Sequence, residues 1–147
     1  MSAVGAGKLY TPELLALATT LADYPLAGAW PQNGEARSKT CGSNIRIGIE
    51  TDDRSRITRI GMAVTACAVG QASAAIFAAD APGRSALDLA EALHEVETWL
   101  GSVDAPMPSW PGFAALRAAR DYPARHGALQ LPWRAAAQAL CKVDGSG

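Results

Sequence analysis

Apolar and polar residues alternate in two short runs near the middle of the chain. Isoleucine occupies every second position in the first run, Ile45–Thr51, and apolar residues do the same in the second, Ile57–Thr65. Such a period of two is typical of strands with one buried face. The polar segment Asp52–Ser55 between the runs has turn composition. The pattern therefore predicts an antiparallel β-hairpin.

Before the hairpin, the sequence predicts a helix and then a long irregular segment. Thr11 and Pro12 are favoured at the N-cap and first position of a helix, and apolar residues then recur at helical spacing. The helix is expected to end near Asp23, because the residue before Pro25 is biased away from the helical region. Residues 25–40 are rich in proline, glycine and polar types, which predicts a loop with a short strand running into Cys41.

After the hairpin the composition becomes rich in alanine and the apolar spacing becomes helical. Ser85 followed by Asp88 resembles a capping box at a helix start. Pro132 is expected to kink or restart the last helix. The predicted helices are Cys67–Ala79, Ser85–Leu100, Phe113–Arg120 and Pro123–Cys141. This order of elements predicts an α+β fold in which a small antiparallel sheet of about three strands packs on helices.

Composition and charge narrow the class of protein. A length of 147 residues predicts a single domain, 1–147, for which we expect flexible segments at 1–9 and 142–147. The net charge of −1 gives no electrostatic reason to expect a nucleic-acid or membrane partner. No long apolar run or basic leader precedes the fold, so we expect a cytoplasmic location. Three cysteines, an odd number, favour free thiols or a metal site over a disulfide framework.

Cys41 and Cys67 are the candidate chemical groups. The first precedes the predicted hairpin and the second follows it, so both thiols are expected at the same end of the sheet, away from the Asp52–Ser55 turn. Cys67 also starts a helix, where the helix dipole favours a thiolate, and Arg37 and Lys39 add positive charge near Cys41. Their spacing matches no zinc motif, and on spacing alone two separate cysteines are usually buried small side chains.

Several motifs in this order resemble the IscU/SufU/NifU family of iron–sulfur cluster assembly scaffolds. The resemblance extends over most of the chain, from Leu9 to Leu140. The motifs are Thr40-Cys41-Gly42, the strand and turn 45–53, Cys67 followed by Ala72-Ser73-Ala74, and Pro123-x-Arg125 with Leu131 and Trp133. The resemblance implies the IscU-like fold, which is also similar to that of SufE proteins.

The resemblance also implies a ligand set, from which this chain departs at two positions. The family carries three cysteines and an aspartate, and Cys41 and Cys67 match the first two cysteines. Ser43 stands where the family has the aspartate, and Ala128 stands where it has the third cysteine. His126 lies one residue from the register of the histidine that precedes that cysteine. It is the candidate third ligand, with a surface histidine as the alternative.

Three functions follow from the resemblance. The first is a scaffold-like binding protein that holds an iron–sulfur cluster or zinc weakly through Cys41 and Cys67. Arg125 matches a basic position of the family, facing the cluster or a sulfur donor, or else has no role. The implied partners are a cysteine desulfurase and iron–sulfur acceptor proteins, and a homodimer would bring two thiols from each chain. The second function is a SufE-like persulfide acceptor, and the third is a degenerate scaffold that binds protein partners with inert cysteines.

Overall fold

The computed structural model describes residues 9–39 and 42–146, with side chains described as far as Leu140. The α-helices and β-strands are α1 (Pro12–Thr19), β1 (Gln32–Arg37), β2 (Asn44–Thr51), β3 (Ile57–Thr65), α2 (Ala68–Asp80), α3 (Ala86–Gly101) and α4 (His126–Ser146). Short 3-10 helices occupy Thr20–Asp23, Phe113–Asp121 and Pro123–Arg125. The predicted α+β architecture is confirmed.

The sheet is antiparallel throughout, in the order β1-β2-β3. Ile47 pairs with Gly34 on one side and with Met62 on the other, so β2 is the central strand. Ile45, Ile47 and Ile49 are at most 1% exposed, as expected from their alternation with polar and small residues. The predicted hairpin of β2 and β3 is therefore confirmed, with the turn at Asp52–Ser55.

The predicted helix starts follow from local hydrogen bonds. The Thr11 hydroxyl accepts from the backbone N–H of Leu14 at 3.1 Å, which caps α1. Ser85 and Asp88 form the reciprocal capping box that the sequence predicts at the start of α3. Each cap satisfies amides that have no partner within the helix.

The loop predicted at 25–40 contains the full strand β1, which pairs with β2 along its length. The segment predicted as a short helix from Phe113 is a 3-10 helix. Pro132 lies inside α4 without restarting it, and the backbone of α4 continues beyond Cys141 to Ser146. The 3-10 helix Pro123–Arg125 forms the first part of the region predicted as one helix.

The core lies between the sheet and the helices. α4 packs against β1, β2, α2 and α3, which makes it the central helix of the fold. Gly34 allows α4 to approach closely, because a Cβ at this position would lie 2.1 Å from the Ala135 carbonyl oxygen. None of the described helices combines the length and apolar character needed to span a lipid bilayer.

Candidate functional site

The sheet end opposite the Asp52–Ser55 turn gathers the candidate residues. Arg37, Asn44 and Thr65 form a row of paired residues across the three strands at this end. Ser43 is the residue before Asn44, the first residue of β2. Cys67 lies two residues after Thr65, the last residue of β3. Strand register alone therefore brings the two segments together.

Cys67 is the N-cap residue of α2. Its backbone is extended, with φ −68° and ψ 174°, and its side chain makes no capping hydrogen bond. The thiol is free and the residue is half-buried. The Cys67 carbonyl accepts from the N–H of Gln71 at 2.9 Å, while the side chain of Gln71 donates to Ala66 at 3.0 Å. The helix start is thus fixed by Gln71, which leaves the sulfur available for chemistry.

The turn between β1 and β2 is the second segment that carries candidate site residues. The N–H of Ser38 donates to the Ser43 carbonyl at 2.8 Å and closes the turn, and both serines are buried. Gly42 has φ +70°, a left-handed conformation that glycine adopts without strain. Cys41 lies outside the described residues, so its predicted proximity to Cys67 stays a prediction.

Ala128 lies against the first turn of α2. A Cβ at Gly70 would lie 3.2 Å from the Cβ of Ala128, and Ala128 is fully buried. Next to this contact, the buried Ser73 hydroxyl donates to the Leu129 carbonyl. The start of α4 therefore crosses α2 three residues after Cys67, with a methyl group where the resemblance implies a thiol.

His126 is half-buried at the start of α4. Its Nε2 donates to the Arg120 carbonyl oxygen at 2.8 Å, because a carbonyl can only accept. A metal ligand often carries such a bond on its second ring nitrogen. Only Nδ1 of His126 remains for an ion, and the candidate role of this histidine stays a prediction.

Arg125 ends the 3-10 helix that precedes α4 and is half-buried. Its backbone N–H donates to the Tyr122 carbonyl at 2.8 Å, which fixes the turn. Within the described part of the chain its guanidinium forms no ion pair. In sequence it directly precedes α4, three residues before Ala128.

The donor set at this end of the sheet is incomplete. A tetrahedral zinc site needs four ligands, of which protein groups supply at least three, and an iron–sulfur cluster is normally held by four. Among the described residues no three His, Cys, Asp or Glu side chains lie close enough to share an ion. Cys67 and Ser43 are therefore compatible with only part of such a site.

Gly70 is a residue of the site that sequence reasoning missed. Its signal was the predominance of alanine, glycine and serine from Ala68 to Ala75. That run permits a close helix crossing, but it does not reveal which helix crosses there. The identity of the crossing residue, Ala128, required the three-dimensional fold.

No protein-family model and no curated protein matches the sequence. Solved structures do match. The N-terminal part of a nitrogen-fixing NifU-like protein from Brucella abortus superposes with a TM-score of 0.87 at 24% identity, covering 97% of this chain and 99% of that one. A protein assigned as the iron–sulfur cluster assembly scaffold of the SUF system in Fervidobacterium islandicum AW-1 gives 0.81 at 16% identity, covering 91% and 98%.

A further structure, of a hypothetical protein, gives a TM-score of 0.67 at 24% identity, covering 88% of this chain and 97% of the other. The first two likenesses extend over nearly all of both chains. They confirm at the level of fold what the motifs around Cys67 and Arg125 indicated. This chain has the fold of the NifU-like and SufU scaffold proteins.

Proposed function

We propose that the protein is a scaffold-like member of the iron–sulfur assembly machinery, which binds an iron–sulfur cluster or zinc weakly through Cys41 and Cys67. One observation carries the proposal: Ser43, Cys67 and Ala128 occur at one end of the sheet and the adjoining helix crossing. The resemblance matches these three residues to ligand positions of the scaffolds. The fold of the NifU-like and SufU structures supports it.

The residues at these positions lead us to expect weak binding. Ser43 is 3% exposed and offers a hydroxyl in place of a carboxylate, while Ala128 offers no donor. Metal affinity depends on deprotonated ligands, and this site lacks two of them. The ligand set is completed by His126 Nδ1, by a second chain or by a small thiol. A cysteine desulfurase and acceptor proteins are the partners that this function requires.

Zinc affinity, measured by competition with a chromophoric chelator, tests the proposal. Ala128→Cys should tighten zinc binding by about tenfold or more, since even groups outside the ligand shell act on that scale. Ser43→Asp should add to the gain, and His126→Ala should weaken binding if Nδ1 is a ligand. Ala81→Cys is the matched control, because it adds a thiol at an equally buried alanine at the opposite end of α2.

Equal zinc affinity of wild type, Ala128→Cys and Ala81→Cys would contradict the proposal of a scaffold-like protein. Metal analysis and the absorbance spectrum of anaerobically purified protein provide the second readout. They distinguish zinc, an iron–sulfur cluster and a metal-free chain in one preparation.

A persulfide acceptor is the second candidate, and the free, half-buried Cys67 thiol favours it. In this reaction the Cys67 thiolate attacks the outer sulfur of a donor persulfide. A new S–S bond forms on Cys67, the donor S–S bond breaks, and the donor leaves as a thiolate, so no oxidant is needed. Intact mass after treatment with glutathione persulfide should show one added sulfur, lost in Cys67→Ser and kept in Ala128→Cys.

A further inference from the structure

Three arginines from three different elements line two adjoining clefts. Arg37 of β1 and Arg46 of β2 line a cleft of about 270 Å³. Arg37 also lines a neighbouring cleft of about 290 Å³ together with Arg134 of α4. Both clefts share Glu35, Ala36, Arg37 and Gln138, so they adjoin each other at β1. We call this surface the β1 groove.

The β1 groove is strongly positive for a chain whose net charge is −1. Arg37, Arg46 and Arg134 are all exposed, and in the described part of the molecule none of them forms an ion pair. Glu35 supplies the single carboxylate among the residues that line the two clefts. Three guanidinium groups thus surround one carboxylate and present an unneutralised positive charge.

Four arginines elsewhere on the molecule are engaged in structural contacts, whereas Arg54, Arg117 and Arg125 form no ion pair within the described residues. The engaged ones are Arg56 with Asp88 at 3.7 Å, Arg59 with Glu50 at 3.4 Å, Arg84 with Asp80, and Arg120 with the carbonyls of Trp99, Val103 and Ala105. Those contacts fasten loops and helices together. The groove arginines have no such structural role, and guanidinium groups bind carboxylates in a planar, two-pronged geometry.

The position and chemistry of the groove favour a protein partner over nucleic acid. A protein that binds a DNA duplex can contact about six to ten phosphates, roughly two to three times the number of cations present here, and the phosphates would be repelled by Glu35. The groove instead complements the charge of a short acidic segment, because guanidinium groups bind carboxylates. It begins at Arg37, the last residue before the turn that carries Cys41.

From this arrangement we infer that the β1 groove docks an acidic segment of a partner protein, with Arg37, Arg46 and Arg134 binding its carboxylates. The groove would hold that partner beside the turn between β1 and β2. Identification of the partner as the sulfur or iron donor rests on the proposed function, whereas the docking surface rests on the groove alone.

Fluorescence anisotropy with a fluorescein-labelled octaglutamate peptide at low salt tests the docking surface. Arg46→Gln combined with Arg134→Gln should weaken binding by about fivefold to tenfold, the scale of two exposed ion pairs. The matched control, Arg54→Gln with Arg117→Gln, removes the same charge from exposed arginines outside the groove and should change binding less than twofold. Glu35→Gln removes the repelling carboxylate and should tighten binding about twofold.

Equal weakening by the two double variants would overturn the inference, because the attraction would then be a property of net charge alone. Tighter binding of a labelled oligothymidine than of octaglutamate would also overturn it, in favour of nucleic acid. If the Arg46/Arg134 variant does not fold, the Glu35→Gln result decides. Zinc and persulfide loading of the Arg46/Arg134 variant should equal those of wild type, so failure of the thiol site and failure of the docking surface are separate results.

Discussion

Gly48 and Gly61 pair across β2 and β3 and make room for the indole ring of Trp30 on the sheet face opposite Ile47. A Cβ at Gly48 would lie 2.3 Å from Cγ of Trp30, and one at Gly61 would lie 2.6 Å from the same ring. Arg59 covers Trp30 with its guanidinium 4.2 Å from the ring centroid. The two glycines therefore allow an aromatic ring to pack on the outer face of the sheet.

Gly48→Ala should destabilise the protein by about 1–3 kcal/mol, since the added methyl group collides with a ring that is only 8% exposed. Gly101→Ala is the control, because a Cβ there meets nothing within 4 Å. It should be neutral or slightly stabilising. Urea unfolding of both variants measures the difference, and equal stabilities would mean that Trp30 moves aside without loss.

The start of α3 is the best-defined helix terminus at the scale of elements. The Ser85 hydroxyl accepts from the N–H of Asp88 at 3.2 Å, and Asp88 Oδ2 accepts from the N–H of Ser85 at 3.0 Å. The latter bond, followed by the Ser85 side chain and by Arg56 and Arg84, lowers the pKa of Asp88 below 3.8. The cap therefore depends on an ionised carboxylate.

Because the folded-state pKa of Asp88 is below its unfolded value, the unfolded chain binds more protons in acid. The stabilisation by Asp88 is fully present above the unfolded pKa and is lost as the pH falls through the lower, folded pKa. Asp88→Asn should flatten this acid decline in the free energy of unfolding, whereas Glu97→Gln, an exposed carboxylate on the same helix, should retain it. Ser85→Ala should lower the free energy of unfolding by about 1 kcal/mol near neutral pH. Unfolding curves between pH 3 and pH 7 provide the measurement, and parallel curves for wild type and Asp88→Asn would contradict the role of the cap.

At the scale of the whole molecule, a cluster of aromatic rings joins the helices to the long loop 102–112. Trp110 stacks on Phe77 of α2 with ring centroids 5.3 Å apart and meets Trp133 of α4 edge-on at 5.6 Å. Its Nε1 donates to the Ile76 carbonyl at 3.0 Å. A loop residue thereby links the two helices that meet at Gly70 and Ala128.

Trp110→Ala should therefore destabilise the fold by about 3–5 kcal/mol, the usual range for removing a buried aromatic ring. Val103→Ala in the same loop should change stability by less than about 0.5 kcal/mol, because Val103 is 81% exposed. Thermal unfolding followed by far-UV and near-UV circular dichroism should give coincident transitions in wild type. A tryptophan variant as stable as the valine variant would show that the loop is not part of the core.

The sequence by itself determined the elements whose signals are local. Alternation predicted β2 and β3, because successive side chains of a strand point to opposite faces. The helix caps at Thr11 and Ser85 could be predicted from the sequence, because their hydrogen bonds join residues only three positions apart. β1 was expected only as a short strand, because its sequence, QNGEAR, has no apolar alternation. It is a strand through its pairing with β2 and its cover by α4.

The tertiary structure alone decided which residues meet across the fold. Sequence placed Ser43, Cys67 and Ala128 at the scaffold ligand positions through a resemblance, but the contact of Ala128 with Gly70 depends on where α4 crosses α2. The β1 groove likewise brings together Arg37, Arg46 and Arg134 from three elements. Periodicity fixes the face on which a side chain lies within one element, whereas packing between distant elements sets the distances on which binding depends.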